Sequence, residues 1–286
     1  METQPINKPH DLINVDEIFR RRGQKIYPFI PGFLIRYLEN VVHQDEVNEA
    51  LNRLGHLQGL EFVNTILAEE FRPDIRIVNP ENVPYTGRYI LASNHPLGGL
   101  DGLALMHVLG KKRKDLKFLS NDLLMEIDSL RELFVPVNKH GRNSRQAVTL
   151  LEQLYESDSL VLVFPAGLVS RRQKGEIRDL QWQKSFVTKA VKYHRDIIPV
   201  HIDGHNSDFF YSLANWRKRL GIKMNIEMLY LPNEMFKQRN KKITITFGKP
   251  ISCTTFTGEL SHLQWAQKIK DHVYTLPQGN LIFKPK

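Results

Sequence analysis

The chain has 286 residues, 41% of them hydrophobic, which suffices for one large domain, or a domain with an appended helical segment, around a real core. Lys and Arg outnumber Asp and Glu by 40 to 31, giving a net charge of +9 and a pI near 9.5; such a balance suits an anionic partner, whether nucleic acid, a lipid surface or a phosphorylated small molecule. Cys253 stands alone, which excludes an intrachain disulfide and a cysteine-based zinc site, and there is no run of about 18 apolar residues to span a bilayer.

Residues 1–22 are polar and charged, without the apolar centre of a signal peptide, and a short helix is expected over 15–22. The apolar, aromatic stretch 26–35 is kept from forming a strand by Pro28, Pro31 and Gly32. From Phe33 the apolar positions Phe33, Leu34, Tyr37, Leu38, Val41 and Val42 recur at helical spacing, with Arg36, Glu39 and Asn40 opposite. This amphipathic helix either packs on the core or dips its aromatic residues into lipid. Helix is expected to continue over 47–71, on a stripe of Leu51, Leu54, Leu57, Phe62, Ile66 and Leu67, until Pro73 ends it. The chain thus divides into an N-terminal helical segment (1–72), core-packed or membrane-interfacial, and an α/β domain (73–286).

Beyond Pro73, β-like runs at 75–78, 89–92, 117–119, 133–137, 160–164, 197–202, 225–230 and 243–247 alternate with helical stretches at 101–109, 122–130, 144–156, 186–194 and 209–220. This alternation predicts an α/β fold with a mixed, largely parallel sheet flanked by helices, whose chemistry gathers at the strand ends. Asn143 or Ser144 is the expected cap of a helix burying Ala147, Leu150, Leu151 and Leu154. A last helix over 259–276 carries Leu260, Leu263, Ala266, Ile269 and Val273 on one side.

The stretch 89–105 joins an apolar strand to a helix through Ser93-Asn94-His95-Pro96-Leu97-Gly98-Gly99, a turn that carries a base. A histidine takes a proton near its unperturbed pKa of about 6.5, and a carboxylate on its other ring nitrogen fixes the tautomer. Asp101, six residues on, can supply that carboxylate, which makes a His/Asp pair without a serine or cysteine. The nucleophile is then the substrate's own hydroxyl or amine. The same residues also describe a plain turn in which His95 caps backbone groups and Asp101 opens the next helix.

Phe164-Pro165-Ala166-Gly167 closes another apolar strand, and Arg171 and Arg172 follow. Backbone amides with two guanidinium groups make an anion cradle; the alternative is a solvated basic loop running on through Lys174 and Arg178. The basic run Lys111-Lys112-Arg113-Lys114 is either solvated or drawn to anionic lipid head groups. His201, Asp203 and His205 alternate as metal ligands do on a strand, but Gly204 interrupts them. No Gly-x-Ser-x-Gly elbow, phosphate-binding Gly-x-x-x-x-Gly-Lys loop or base-reading module occurs, which disfavours an acyl-enzyme hydrolase, an NTPase and a nucleic-acid partner.

Asn94-His95 followed by Asp101, Phe164-Pro165-Ala166-Gly167 about seventy residues later, and then Ile198-Pro199-Val200 resembles, in order and spacing, the glycerolipid (lysophospholipid) acyltransferase family over about 75–249. The likeness is greatest to a bacterial branch that O-acylates lyso-lipids, including lyso-ornithine and lyso-glycine lipids. Five residues separate His95 from Asp101 where the family box usually has four, with Gly98-Gly99 to absorb the extra one, and Ala166 stands where the family usually has glutamate. The resemblance implies an O-acyltransferase that moves a fatty acyl group from acyl carrier protein or coenzyme A to a lyso-lipid hydroxyl. In that reading His95 is the base and Asp101 its orienting partner, with oxyanion-stabilising amides near Gly98-Gly99 or Gly167.

It further implies substrate contacts at Asn94, Gly98, Gly99, Phe164, Pro165, Gly167, Arg171 and Arg172, with Lys139 and Arg142 in the place of a second box and Pro199 lining an acyl pocket. No metal or tightly bound cofactor is implied, and the chain is expected to lie peripherally on the cytoplasmic face of the inner membrane. With no glutamate at position 166, a lyso-glycine or lyso-ornithine acceptor is expected over lysophosphatidic acid. The alternatives are a 1-acylglycerol-3-phosphate acyltransferase within the family and, outside it, a non-catalytic basic protein that binds membrane surfaces or nucleic acid.

Overall fold

The computed structural model describes residues 13–22, 27–120, 127–136 and 145–285. Four helices come first: α1 (Val15–Arg22), α2 (Gly32–Val41), α3 (Gln44–Leu54) and α4 (Gly59–Ile66). The helix expected over 47–71 is broken between α3 and α4, because Gly59 takes a left-handed φ of +55° that most side chains disfavour. After α4 the chain winds through a wide π turn, Leu67–Phe71, and stops at left-handed Arg72, whose N–H donates to Leu67 O (2.7 Å) just ahead of Pro73.

Then follow β1 (Asp74–Val78), β2 (Tyr89–Ser93), α5 (Gly99–Gly110), β3 (Leu116–Ser120), β4 (Phe134–Pro136), α6 (Arg145–Glu156) and β5 (Leu160–Val163). A small hairpin, β6 (Arg171–Gln173) and β7 (Glu176–Arg178), precedes α7 (Ser185–Lys192), β8 (Asp196–Asp203), α8 (Asp208–Arg219), α9 (Leu231–Phe236), β9 (Lys242–Phe247) and α10 (His262–Val273). The main sheet runs β1-β9-β8-β2-β5-β3-β4, and only the β8–β9 pairing is antiparallel. The expected mixed, largely parallel sheet flanked by helices is thus the observed fold.

Alternation along the central strands builds a core on each face of this sheet. Leu91 and Leu162 face one core with α3, α4 and α5, while Ile90, Ala92, Val161 and Val163 face the other with α6, α7 and α10. Helix α5 is apolar nearly all round because it is covered nearly all round. A side chain at Gly110 would run into Leu60 of α4 at 2.7 Å, and one at Gly102 would touch Phe118 of β3 at 3.7 Å.

Several expectations change at this level. Residues 225–230 form a short 3-10 turn over Ile226–Tyr230, not a strand. The alternating Ile226, Met228 and Tyr230 imitate a strand, but Glu227 between them is drawn into the interior by two arginines, and Pro232 starts α9 directly after. Of the helix expected over 122–130, residues 122–126 lie outside the described residues, and a 3-10 turn occupies Asp128–Leu133. Val137, Asn143 and Ser144 also lie outside them. Leu150 and Leu263 are exposed; α6 is buried instead through Leu154 and Tyr155, and α10 through Trp265, Ala266, Ile269 and Val273.

Candidate active site

Strand β2 lies between β8 and β5, and its successor β3 pairs on the far side of β5, so the chain leaving β2 enters the crevice where strand order reverses. Asn94 holds that exit in place. Its amide donates to Ile202 O (2.8 Å) and accepts from Ile202 N–H (2.7 Å), which prolongs the β2–β8 pairing by one side chain. With 2% exposure and both amide ends engaged, Asn94 is a structural tie, which corrects its expected role as a substrate contact.

The next residues complete their backbone hydrogen bonding through two side chains from distant elements, one distant backbone amide and the nearby Asp101. His95 N–H donates to Asp179 (3.2 Å), and its carbonyl accepts from Ser170 N–H (2.8 Å). Pro96 O accepts from the Asn206 amide (3.1 Å), while Leu97 and Gly98 N–H both donate to Asp101 Oδ2 (2.8 and 3.1 Å). Gly98 adopts a φ of +81°, the left-handed step that folds the extra residue of the loop under α5, so that Asp101 sits in the first turn of the helix and reaches back.

The ring of His95 then meets Asp101 with Nδ1 at 2.9 Å from Oδ2. An ionised carboxylate only accepts, and this oxygen also accepts from two backbone amides, so Nδ1 carries the proton and the lone pair is on Nε2. No described residue hydrogen-bonds Nε2. The imidazole is 17% exposed, and its face stacks on Phe164 with ring centroids 3.9 Å apart and planes 14° apart. Burial pushes the Asp101 carboxyl above its ordinary pKa, against the pull of His95, Leu97 and Gly98. Its other oxygen, Oδ1, is buried without a partner. Such a pair can take a proton at Nε2 and hold the resulting cation against a carboxylate with no other counter-charge.

Asp179, which the sequence did not single out, ties the two loops together. It is 2% exposed and accepts from Ser170 Oγ (2.6 Å), Trp182 Nε1 (2.8 Å) and the His95 amide, while burial raises its pKa. The His95 amide that it receives lies 84 positions back, and Tyr274, whose hydroxyl accepts from the Asp179 N–H, lies 95 positions on, so no local pattern marks its role.

The remaining expected contacts divide. Phe164 stacks on His95 at the turn after β5, which continues through Pro165 and Gly167, but Gly167 N–H donates to Phe164 O (2.9 Å) and Gly98 N–H to Asp101, so neither of these amides is free for an oxyanion. Gly99 is exposed at the start of α5. Arg171 corrects the anion-cradle reading: it is 2% exposed, paired with fully buried Glu227 (2.8 Å), and donates to Val169 O. Burial lowers its pKa. Arg172 is half-buried, its guanidinium over the Tyr211 ring and paired with exposed Asp208.

Pro199 is buried within β8 in register with Ala92, and a side chain at Gly248 would meet its ring at 2.8 Å. Ala166 is buried in the core that holds Trp182 and Phe186. Lys139 and Arg142 lie outside the described residues. The basic run 111–114 follows the far end of α5 from His95; within it, Arg113 is buried against Asp115, Gly87 O and Asp158 O, which rules it out as a lipid-facing cation.

The chain resembles known proteins over most of its length. Residues 18–279 match a family model described as acyltransferase. It is 48% identical over 266 residues to a lyso-glycine lipid O-acyltransferase of Bacteroides thetaiotaomicron, covering 93% of this chain and 97% of the relative. It is 47% identical over 266 residues to the protein of the same name from Phocaeicola vulgatus, covering 93% and 95%. Among solved structures it is similar to the 1-acyl-sn-glycerophosphate (LPA) acyltransferase PlsC of Thermotoga maritima, at 18% identity and a TM-score of 0.48 over 86% of this chain and 92% of the other. By the extent of the family match and the identity to both relatives, the chain belongs to the acyltransferase family.

Proposed function

We propose that this acyltransferase esterifies the hydroxyl of a lyso-glycine lipid with a fatty acyl group taken from the thioester of acyl carrier protein or coenzyme A. The observation that carries the mechanism is the His95–Asp101 pair, with Nδ1 committed to a buried carboxylate and Nε2 left free. Nε2 accepts the proton of the acceptor hydroxyl as its oxygen attacks the thioester carbonyl. The tetrahedral intermediate then collapses, the carbon–sulfur bond breaks, and the departing thiolate takes the proton back from the imidazolium. Asp101 balances the charge on the ring between those two events. The amide of Gly99, an exposed residue at the positive end of α5, is the candidate for stabilising the oxyanion.

The acceptor class is supported by the two relatives of that name and by the character of the loop after β5. A glycine head group presents one carboxylate. Arg172, half-buried over the Tyr211 ring and paired with an exposed aspartate, is our candidate to receive it, because surface ion pairs of this kind are worth little and exchange readily. We assign the reaction to a peripheral enzyme on the cytoplasmic face of the inner membrane; no helix among the described residues is long and apolar enough to cross a membrane.

The test is acyl transfer by the purified chain, with acyl-CoA and acyl carrier protein offered in parallel, and lyso-glycine lipid and lysophosphatidic acid as competing acceptors. Mass spectrometry of the products is expected to find the diacylated glycine lipid in excess. Preferential acylation of lysophosphatidic acid, or thioester consumed with neither acceptor acylated, would overturn the assignment.

A further inference from the structure

The end of α8 and the turn after it read Trp216-Arg217-Lys218-Arg219-Leu220-Gly221-Ile222-Lys223-Met224. Arg217 turns inward to Glu227 (2.6 Å), and what remains on the surface alternates between large apolar and basic side chains. Trp216, Leu220 and Met224 are 61%, 67% and 68% exposed, and Lys218, Arg219 and Lys223 are exposed between them. Single exposed apolar residues are ordinary, whereas a group of them set among like charges marks an interaction surface.

This surface does not end at α8. The Tyr230 ring meets Phe209 of α8 at 5.0 Å, and its hydroxyl lies 2.8 Å from that of Tyr37 on α2. Helix α2 buries Ile35 and Leu38 on one side and leaves Phe33 and Tyr37 on the other, with Phe33 75% exposed. Leu231, the residue after Tyr230, lies 3.4 Å from where a side chain at Gly98 would begin. The buried chain Arg217–Glu227–Arg171 links the same region to Val169 and Ser170, and Ser170 N–H holds His95. The patch therefore borders the turn that carries the proposed base.

We propose that the end of α8, the turn through Met224 and the outer side of α2 form a docking surface for an anionic lipid bilayer, seating the His95 turn at the interface. This rests on the reading of the chain as a lyso-lipid acyltransferase. Tryptophan and long aliphatic side chains settle at the head-group boundary, while lysine and arginine lay their stems along it and pair with lipid anions. A second copy of the chain is the poorer occupant, because a two-fold contact through this surface would set Lys218, Arg219 and Lys223 against their own copies.

The sequence supplies the reporter. Of three tryptophans, Trp182 and Trp265 are 0% and 2% exposed, so a solvent-sensitive change in emission belongs to Trp216. The full chain is mixed with phosphatidylcholine vesicles carrying brominated acyl chains, with and without phosphatidylglycerol. Emission is expected to shift blue and be quenched only where phosphatidylglycerol is present, with no such response from Trp216→Phe. Lys218→Gln, Arg219→Gln and Lys223→Gln together are expected to weaken partitioning about 100-fold, at about fivefold per charge. They are expected to leave unchanged the rate on a short-chain lyso-lipid dispersed as monomers.

An unquenched Trp216, partitioning indifferent to the triple substitution, or a dimer whose emission is already blue-shifted in buffer would each overturn the surface. The two readings fail separately. Wild type that acylates monomeric lyso-lipid with Trp216 never quenched contradicts the surface and leaves the reaction standing, while a quenched Trp216 with no lyso-lipid acylated supports the surface and contradicts the reaction.

Discussion

Asp101 and Glu227 are both sealed from solvent near the exit of β2, yet their surroundings differ in kind. Glu227 has an arginine on each oxygen, Arg171 at 2.8 Å and Arg217 at 2.6 Å, so its charge is fully answered and both arginines are consumed. Asp101 has three donors on one oxygen and none on the other, and its single ionisable partner is a partly exposed imidazole. The first arrangement is a rivet. The second improves when its partner gains a proton, because the imidazolium is then held by a carboxylate that lacks other counter-charges. Under-satisfaction at Asp101 and saturation at Glu227 are what separate the proposed chemistry from the scaffold.

Four substitutions test the contrast. His95→Ala should lower kcat about 10⁴-fold, at the upper end for loss of a general base, with the thermal midpoint unchanged. Steady-state release of free thiol from the donor measures it, and a loss of less than tenfold would remove His95 from the reaction. Asp101→Asn keeps an acceptor for Nδ1–H but no charge, so about a 10³-fold loss in kcat is expected, with little change in KM. Because the folded pKa of Asp101 is raised, the stability this group contributes is present at low pH and lost as pH rises through the folded value. Asp101→Asn should therefore melt higher than wild type at neutral pH, with the gap closing in acid.

At the saturated centre the signs reverse. Glu227→Gln leaves two buried guanidinium groups without a counter-charge and should cost about 3–5 kcal/mol in denaturant unfolding, while activity per folded molecule stays within tenfold. His201 supplies the smallest effect, a buried ionisable group with no partner on Nδ1 and a pKa lowered to about 4 by burial. The unfolded chain protonates first, near the ordinary value of 6.5, so stability is full above that value and falls as pH drops toward about 4. The loss is expected to approach about 3 kcal/mol, and His201→Gln should flatten it in acid unfolding series. An unchanged slope would mean that the histidine is not held neutral.

Most of the fold was legible from periodicity, although the alternation over 225–230 pointed to a strand that does not form. The turn after β2 was legible because its parts are local: a histidine, a glycine pair that permits a left-handed step at Gly98, and an aspartate within the first helical turn. Arg171 was misread for the opposite reason. Its residue type suggests an anion, but the anion that takes it is Glu227, 56 positions away in a stretch whose alternation looked like a strand. Asp179 was missed because it bonds a backbone amide 84 positions back. The β6–β7 hairpin was readable in principle, since Lys174-Gly175 is a two-residue turn with both φ angles positive. What stayed hidden were charges whose partners arrive only with the tertiary fold.

The arrangement at His95 is most directly tested by nitrogen-15 resonances of the histidine rings in wild type and in His95→Gln, which identifies the signal. The His95 ring should carry a proton on Nδ1, shifted downfield by its bond to Asp101. A ring protonated on Nε2 in the wild type, or one whose Nδ1 signal is unmoved by Asp101→Ala, would contradict the pairing on which the proposed proton transfer depends.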